Sequence, residues 1–332
     1  MMMNADEDYG FDVFGFIHIP QALTPAEVDA CNQALDAVGG EEGGLLDSPH
    51  GDPFRALQQH PVLQGYLDSL CGPDSVMDHP PTLVAGADAA AAAPLSAGAP
   101  ERQRRLRYAN FGDTRVSHGV RIFLALAPTT NAGGVLLVPA SHNRSSEPPA
   151  DFLSGAVDLE MTEETALQAG DLLICAATLL WGVRGRPNRV IEMEYITSRA
   201  MPSAGYPEIE APEWTAGLTQ EQLAVVGRRT SGRGGTVISD GERTWVASVE
   251  EPPVTVQLNL DEHSLPDLHE LWFWDVRGYL VLRGVMDEAW LKAANDAIDK
   301  FEDQSKKRMG DVPGTVYSKE SKSLAGGGIP RL

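Results

Sequence analysis

Five short stretches of the chain are apolar or alternate apolar with polar residues: PTLVAG (81–86), HGVRIFLALA (118–127), GGVLLVPAS (133–141), DLLICAATLL (171–180) and RVIEMEYIT (189–197). Rich in Val, Ile, Leu and aromatics and punctuated by Gly and Pro, they predict the strands of an all-β sandwich or barrel. Helical spacing occurs earlier. Thr24 offers a capping hydroxyl before Pro25, Glu27 sits in the first turn, and Val28, Cys31, Leu35 and Val38 form an apolar stripe. The Ala-rich run 87–100 has no period and is interrupted by Pro94, which predicts a mobile loop between strands.

The pattern repeats. Laid without gaps over FDVFGFIHIPQALTPAEVDACNQALD (11–36), the segment WDVRGYLVLRGVMDEAWLKAANDAID (274–299) is identical at eight of 26 positions. Chance would give about two. Each copy predicts a Gly turn, a short strand, a polar helix start and an amphipathic helix. In the second copy Asp287 takes the cap, and Trp290, Leu291, Ala294 and Ile298 make the stripe. The strand-rich region follows only the first copy, so the organisation expected is one barrel unit over 1–200, a connecting segment over 201–267, and the start of a second, truncated unit over 268–332. In the connecting segment, LTQEQLAVV predicts a helix start among Pro, Gly and acidic stretches.

Composition narrows the function classes. A formal charge of −21 and a pI near 4.7 argue against sequence-independent affinity for nucleic acid or anionic lipid. The longest apolar run, Leu172 to Val183, is too short to span a bilayer. The acidic start MMMNADEDYG lacks a charged-then-apolar leader, and the three widely spaced cysteines, Cys31, Cys71 and Cys175, fit reduced thiols. A cytoplasmic protein is the expectation.

Several segments in order carry a family resemblance: GFDVFGFIHIPQALTPAEVDACNQAL, GGLLDSPHGDPFRALQQHPVLQGYLDSLCGPDSVMDH, FLALAPTTNAGGVLLVPASHN and LQAGDLLICAATLLWGVRG. Together they resemble the phytanoyl-CoA dioxygenase family, oxygenases that use Fe(II) and 2-oxoglutarate. NAGGVLLVPASH is similar to the family's GG…vPGSH signature, with Ala140 in place of Gly. The resemblance implies a mainly β fold with flanking helices, a double-stranded β-helix or jelly-roll, cupin-like barrel. With the repeat, a second oxygenase-like unit beyond Leu332 is the expectation.

Fe(II) in such a site needs two imidazoles and one carboxylate, with positions left open for 2-oxoglutarate and O2. The resemblance places the last imidazole at Trp181, before Gly182, and indole has no lone pair to give a metal. It places the first His and its acidic partner at Ser96 and Gly98; a different gap puts Arg107 at the His position instead. Neither supplies an imidazole, and no His-x-Asp or His-x-Glu occurs in the chain. His118, with Asp113 five residues earlier, and His142 are candidates for a relocated site, against the plainer reading of turn residues. His79 reads as a packing residue, and His50 and His60 as loop residues.

Arg189 is the remaining cofactor candidate. Strand alternation puts Arg189, Ile191, Met193 and Tyr195 on one face, taken as the barrel interior, with Val190, Glu192 and Glu194 on the other. The resemblance implies that Arg189 grips the far carboxylate of 2-oxoglutarate, a bidentate task suited to guanidinium. The alternative is a strand-end Arg paired with Glu192 or Asp171.

Three readings follow. The first is a non-catalytic oxygenase-fold unit of a tandem protein. The second is an active Fe(II)/2-oxoglutarate hydroxylase of an acyl or small-molecule substrate, with its ligands elsewhere. The third is a metal-free module holding a small-molecule ligand in the barrel, with Trp181 either stacking on that ligand or packing the space the metal would leave.

Overall fold

The computed structural model describes residues 3–38, 44–73, 75–84, 94–96, 106–110, 115–129, 133–185, 189–197, 200, 215, 219 and 267–300. Residues 1–278 form one compact unit and 279–332 another. The expected connecting segment 201–267 lies almost wholly outside the described residues, as does most of the loop 87–100.

Helix α1 (Ala5–Phe14) starts from a capping box between Asn4 and Glu7 and stops at Gly15, whose φ of 81° needs no Cβ. Strand β1 (Phe16–Ile19) and helices α2 (Pro25–Val38), α3 (Asp52–Leu57) and α4 (Pro61–Leu70) follow. The β region comprises β2 (Ser75–Leu83), β3 (Leu95–Ser96), β4 (Tyr108–Asn110), β5 (Arg115–Ser117), β6 (Gly119–Ala125), β7 (Val135–Val138), β8 (Glu163–Thr165), β9 (Leu172–Ala176), β10 (Leu180–Val183) and β11 (Val190–Thr197). A short helix α5 (Ala150–Leu153) interrupts it, and α6 (Leu268–Arg277) and α7 (Glu288–Lys300) close the described chain.

One sheet runs β1-β9-β6-β11-β2 and a second β3-β10-β7-β8; β4 and β5 form a hairpin. All described ladders are antiparallel. The chain crosses repeatedly between the two main sheets: β2 lies in the first, β3 in the second, β6 in the first, β7 and β8 in the second, β9 in the first, β10 in the second and β11 in the first. This is a jelly roll with flanking helices, as the family resemblance implied and within the sandwich or barrel that the strand pattern predicted. Among the described residues no ladder joins the edges of the two sheets.

Both faces of the first sheet are buried, which is why β9 reads as an unbroken apolar run and β6 as one broken by Arg121 alone. On the outer face Leu124, Leu172 and Met193 meet Leu57 and Leu63 of the helical layer, and the Tyr195 hydroxyl donates to Gln58, the C-cap of α3. On the inner face Arg121 and Phe123 meet Trp181 of the second sheet. The outer face of the second sheet is covered by α5 and α6: Leu95, Leu136, Val138 and Leu180 pack with Phe152, Trp272 and Val276. Helix α6 thus belongs with the first unit, whereas the repeat had suggested a new unit starting at 268.

The turn 139–143 accounts for one odd residue of the sequence. Ala140 adopts φ 68°, the left-handed region, and its amide donates to Phe14 O at 3.0 Å. A Cβ costs about 1–2 kcal/mol there, so Ala140→Gly is expected to stabilise the protein by about 1 kcal/mol in urea unfolding. Gly15 is the converse case. A Cβ on it would lie 2.5 Å from His142 Nδ1, so Gly packs helix α1 directly on the turn. Among the described residues no helix is long and apolar enough to cross a membrane.

Candidate functional site

Trp181 and Ser96, the positions where the resemblance placed imidazoles, are direct partners across the β10–β3 ladder. The second sheet therefore brings them together at one end of the space between the sheets. Gly98 lies outside the described residues, and so does Asp113.

What fills that space comes from the first sheet. The Arg121 guanidinium stands 4.4 Å over the Trp181 ring, and Phe123 packs against the same indole with centroids 5.1 Å apart. Arg121 Nε lies 2.8 Å from Glu192 Oε1, and its Nη2 pairs with Glu194. Register explains the grouping: Arg121 and Phe123 are the ladder partners of Glu194 and Glu192 on β11, and of Cys175 and Leu173 on β9. The cluster is dry. Side-chain exposure is 6% for Arg121, 1% for Glu194 and 16% for Glu192. Burial pushes the Cys175 thiol far above its ordinary range. The buried Trp181 indole N–H finds no acceptor among the described residues.

This geometry reverses the face assignment made for β11. Ile191, Met193 and Tyr195 share the face turned to the helical layer, and Glu192 and Glu194 point inward. An apolar face is no guide to the interior when the other side of the sheet is also covered. Arg189 accordingly does not line the space between the sheets. With φ 57° it turns toward α2, donating to Asn32 Oδ1 at 2.8 Å and pairing with Asp36. Neither acidic residue proposed as its partner is available. Glu192 is held by Arg121, and Asp171 accepts from His18, Gln21 and Gln168. Burial acts to raise the Asp171 carboxyl, but those bonds outweigh it and hold it below the ordinary value.

Four other described histidines can be placed. His142 is buried, donates from Nε2 to Asp12 O at 3.1 Å and lies edge-on to Tyr108. His79 bonds Thr82, His60 lies 3.4 Å from Glu27, and the His118 carbonyl accepts from Thr197. Among the described residues no group of three His, Cys, Asp or Glu side chains is arranged to hold a metal ion.

Burial lowers the His142 pKa to about 4, from an ordinary 6.5. The unfolded chain takes up this proton first, so the stability is complete above pH 6.5 and is lost as pH falls toward 4. Urea unfolding at pH 7 and pH 5 should show a loss about 2 kcal/mol smaller in His142→Gln than in the parent.

The residues do not fit the metal that the resemblance implies. Ser96 brings a neutral hydroxyl, Trp181 brings an N–H with no lone pair, and the Arg121 guanidinium occupies the space 4.4 Å over that indole, paired with Glu192 and Glu194. The inward set missed in the sequence is Arg121 with Glu192 and Glu194. Its signal was present: a lone Arg inside GVRIFLALA and two Glu at alternate positions of VIEMEYIT, charges that strands buried on both faces hold only when paired.

No family model matches the chain, and no curated protein matches it. Similar solved structures include HygX from Streptomyces hygroscopicus with nickel and 2-oxoglutarate bound; it is 14% identical, with 59% of this chain and 87% of that chain covered and a TM-score of 0.48. The nickel complex of the non-heme monooxygenase ThoJ is 23% identical, with 60% and 80% covered and a TM-score of 0.41. The non-heme alpha-ketoglutarate-dependent epimerase SnoN from nogalamycin biosynthesis is 16% identical, with 57% and 81% covered and a TM-score of 0.41.

Proposed function

We propose that this chain is a non-catalytic barrel of the Fe(II)/2-oxoglutarate oxygenase type, of the phytanoyl-CoA dioxygenase-like branch, serving as one unit of a tandem cytoplasmic protein. One observation carries the reading: the space between the sheets, at the Trp181–Ser96 pair, holds an internal cation, Arg121, neutralised by Glu192 and Glu194 and stacked on the indole. A guanidinium there supplies the positive charge that a metal would bring, but no open coordination position and no redox chemistry. Arg189, the expected anchor for 2-oxoglutarate, is spent on fastening α2 to the barrel.

The test is turnover. With Fe(II), ascorbate and 2-oxoglutarate, and a panel of acyl-CoA and small hydroxylatable substrates, no succinate should form above the no-enzyme rate. Succinate released in step with a hydroxylated product would establish the active hydroxylase instead.

The metal-free binding module is the second reading, favoured by the unpartnered indole N–H of Trp181. Saturable quenching of Trp fluorescence by 2-oxoglutarate or a simple sugar without metal, lost in Trp181→Phe, would support it.

A further inference from the structure

The second copy of the repeat keeps the caps and turns of the first, although Tyr279–Leu282 form no strand where the first has β1. Helix α6 opens with a capping box, Asp267 with Glu270, as α1 does with Asn4 and Glu7. Each helix ends at a left-handed glycine, Gly15 with φ 81° and Gly278 with φ 73°. The turn that follows passes through positive φ at matching places, Gln21 and Gly284. The next helix starts from a matching cap, where Thr24 receives the Glu27 amide and Asp287 the Trp290 amide.

The two copies differ in what covers them. In the first, β1 pairs with β9, the Leu23 amide donates to Gly170 O, and Ile19 and Leu23 are 9% and 4% exposed. Their counterparts Leu282 and Met286 are 63% and 43% exposed. Three more apolar side chains, Val281, Val285 and Trp290, stand exposed where copy one has His18, Ala22 and Glu27. Copy one also grips its barrel through a polar clamp: Asn32 donates to Leu126 O, and Asn32 and Asp36 hold Arg189. Both clamp residues recur in the sequence as Asn295 and Asp299, among only eight identities in 26 positions.

We propose that residues 279–299 are the lead segment of a second barrel of this same fold, which follows them in chain order and which they cover as residues 16–36 cover the first, with Asn295 and Asp299 holding an arginine at that barrel's counterpart of Arg189. The proposal rests on the tandem reading above and names the contact through which the second unit is recognised. The geometry of copy one says what the occupant is: there the matching segment Phe16–Ile19 becomes a strand by pairing with the β9 edge, whereas Tyr279–Leu282, with no such edge, form no strand.

The seat of the first barrel is therefore the probe. In a full-length graft, residues 279–299 replace 16–36 with His18 retained, since Asp171 of this barrel needs it. The graft should unfold cooperatively with a Tm within about 10 °C of the parent, while a scrambled segment of the same composition should not. Asp299→Ala in the graft should lower Tm about as much as Asp36→Ala does in the parent, and neither should add to Arg189→Ala. A graft no better than the scrambled control overturns the proposal, and a folded graft indifferent to Asp299→Ala overturns the clamp. The unmodified chain should sediment as a monomer, its own seat being filled; a dimer abolished by Leu282→Asp would assign the exposed face to self-association and also overturn it. Metal binding by the parent would remove the non-catalytic reading and leave the graft result untouched.

Discussion

Arg121→Met is expected to lower the unfolding free energy by about 3–5 kcal/mol, the usual consequence of removing one member of a buried ionic group. The size follows from the surroundings: Glu194 is almost fully buried, Glu192 largely so, and both pair with this guanidinium. Met fills similar volume and keeps the contact with Trp181, so the loss reports charge and not a cavity. A triple variant, Arg121→Met with Glu192→Gln and Glu194→Leu, should recover most of the loss, because an apolar replacement of a whole buried ionic group is often near neutral. Chemical denaturation of the parent, the single variant and the triple variant measures this. A single-variant cost within about 1 kcal/mol, the range of an exposed ion pair, would mean that Arg121 is not the organising charge of the interior.

Trp272→Ala is the second large effect. The indole is 1% exposed and packs on Phe152 with ring centroids 4.8 Å apart, the largest side chain that α6 sets against the second sheet. Its removal should cost about 3–5 kcal/mol, or roughly 10 °C in Tm. Trp272→Phe should cost less than about 1.5 kcal/mol, because it removes a buried N–H that finds no acceptor among the described residues. Hydrogen exchange separates the causes: the Ala variant should release residues 268–277 while β6 and β9 stay protected. The Asp275 carboxylate, which accepts from both Ser145 and Ser146, marks the other anchor of this helix.

The strands were legible because they carry their signal locally, while their jelly-roll arrangement was implied by the resemblance. VRIFLALA, GVLLVPAS and LLICAATLL are apolar enough for double burial and are set off by Gly and Pro. The leading helix and strand were legible from caps and from the repeat. The role of α6 was not. Its copy-one counterpart packs through Phe11, whereas α6 packs through Trp272 and Val276, a different face of a helix apolar on several sides.

The candidate site was half legible. That Trp181 and Ser96 supply no imidazole is a property of the residues themselves, and the ladder places them side by side. Which face of β11 points inward is a tertiary fact, set by the helices over the outer side of the sheet. Alternation yields two faces and no sign. Arg189 was misplaced for the same reason: a left-handed backbone at a non-glycine residue and partners on a helix more than 150 positions earlier leave no mark in the local sequence.

The central claim is that this barrel carries its own cation in place of a metal. The most direct measurement is equilibrium dialysis of the full chain against Fe(II) with 2-oxoglutarate under anaerobic conditions, followed by metal analysis. The account predicts no iron retained above the buffer blank across the micromolar range, for the parent and for Trp181→His alike, since Arg121 remains. One equivalent of iron bound by the parent at micromolar concentration would contradict it.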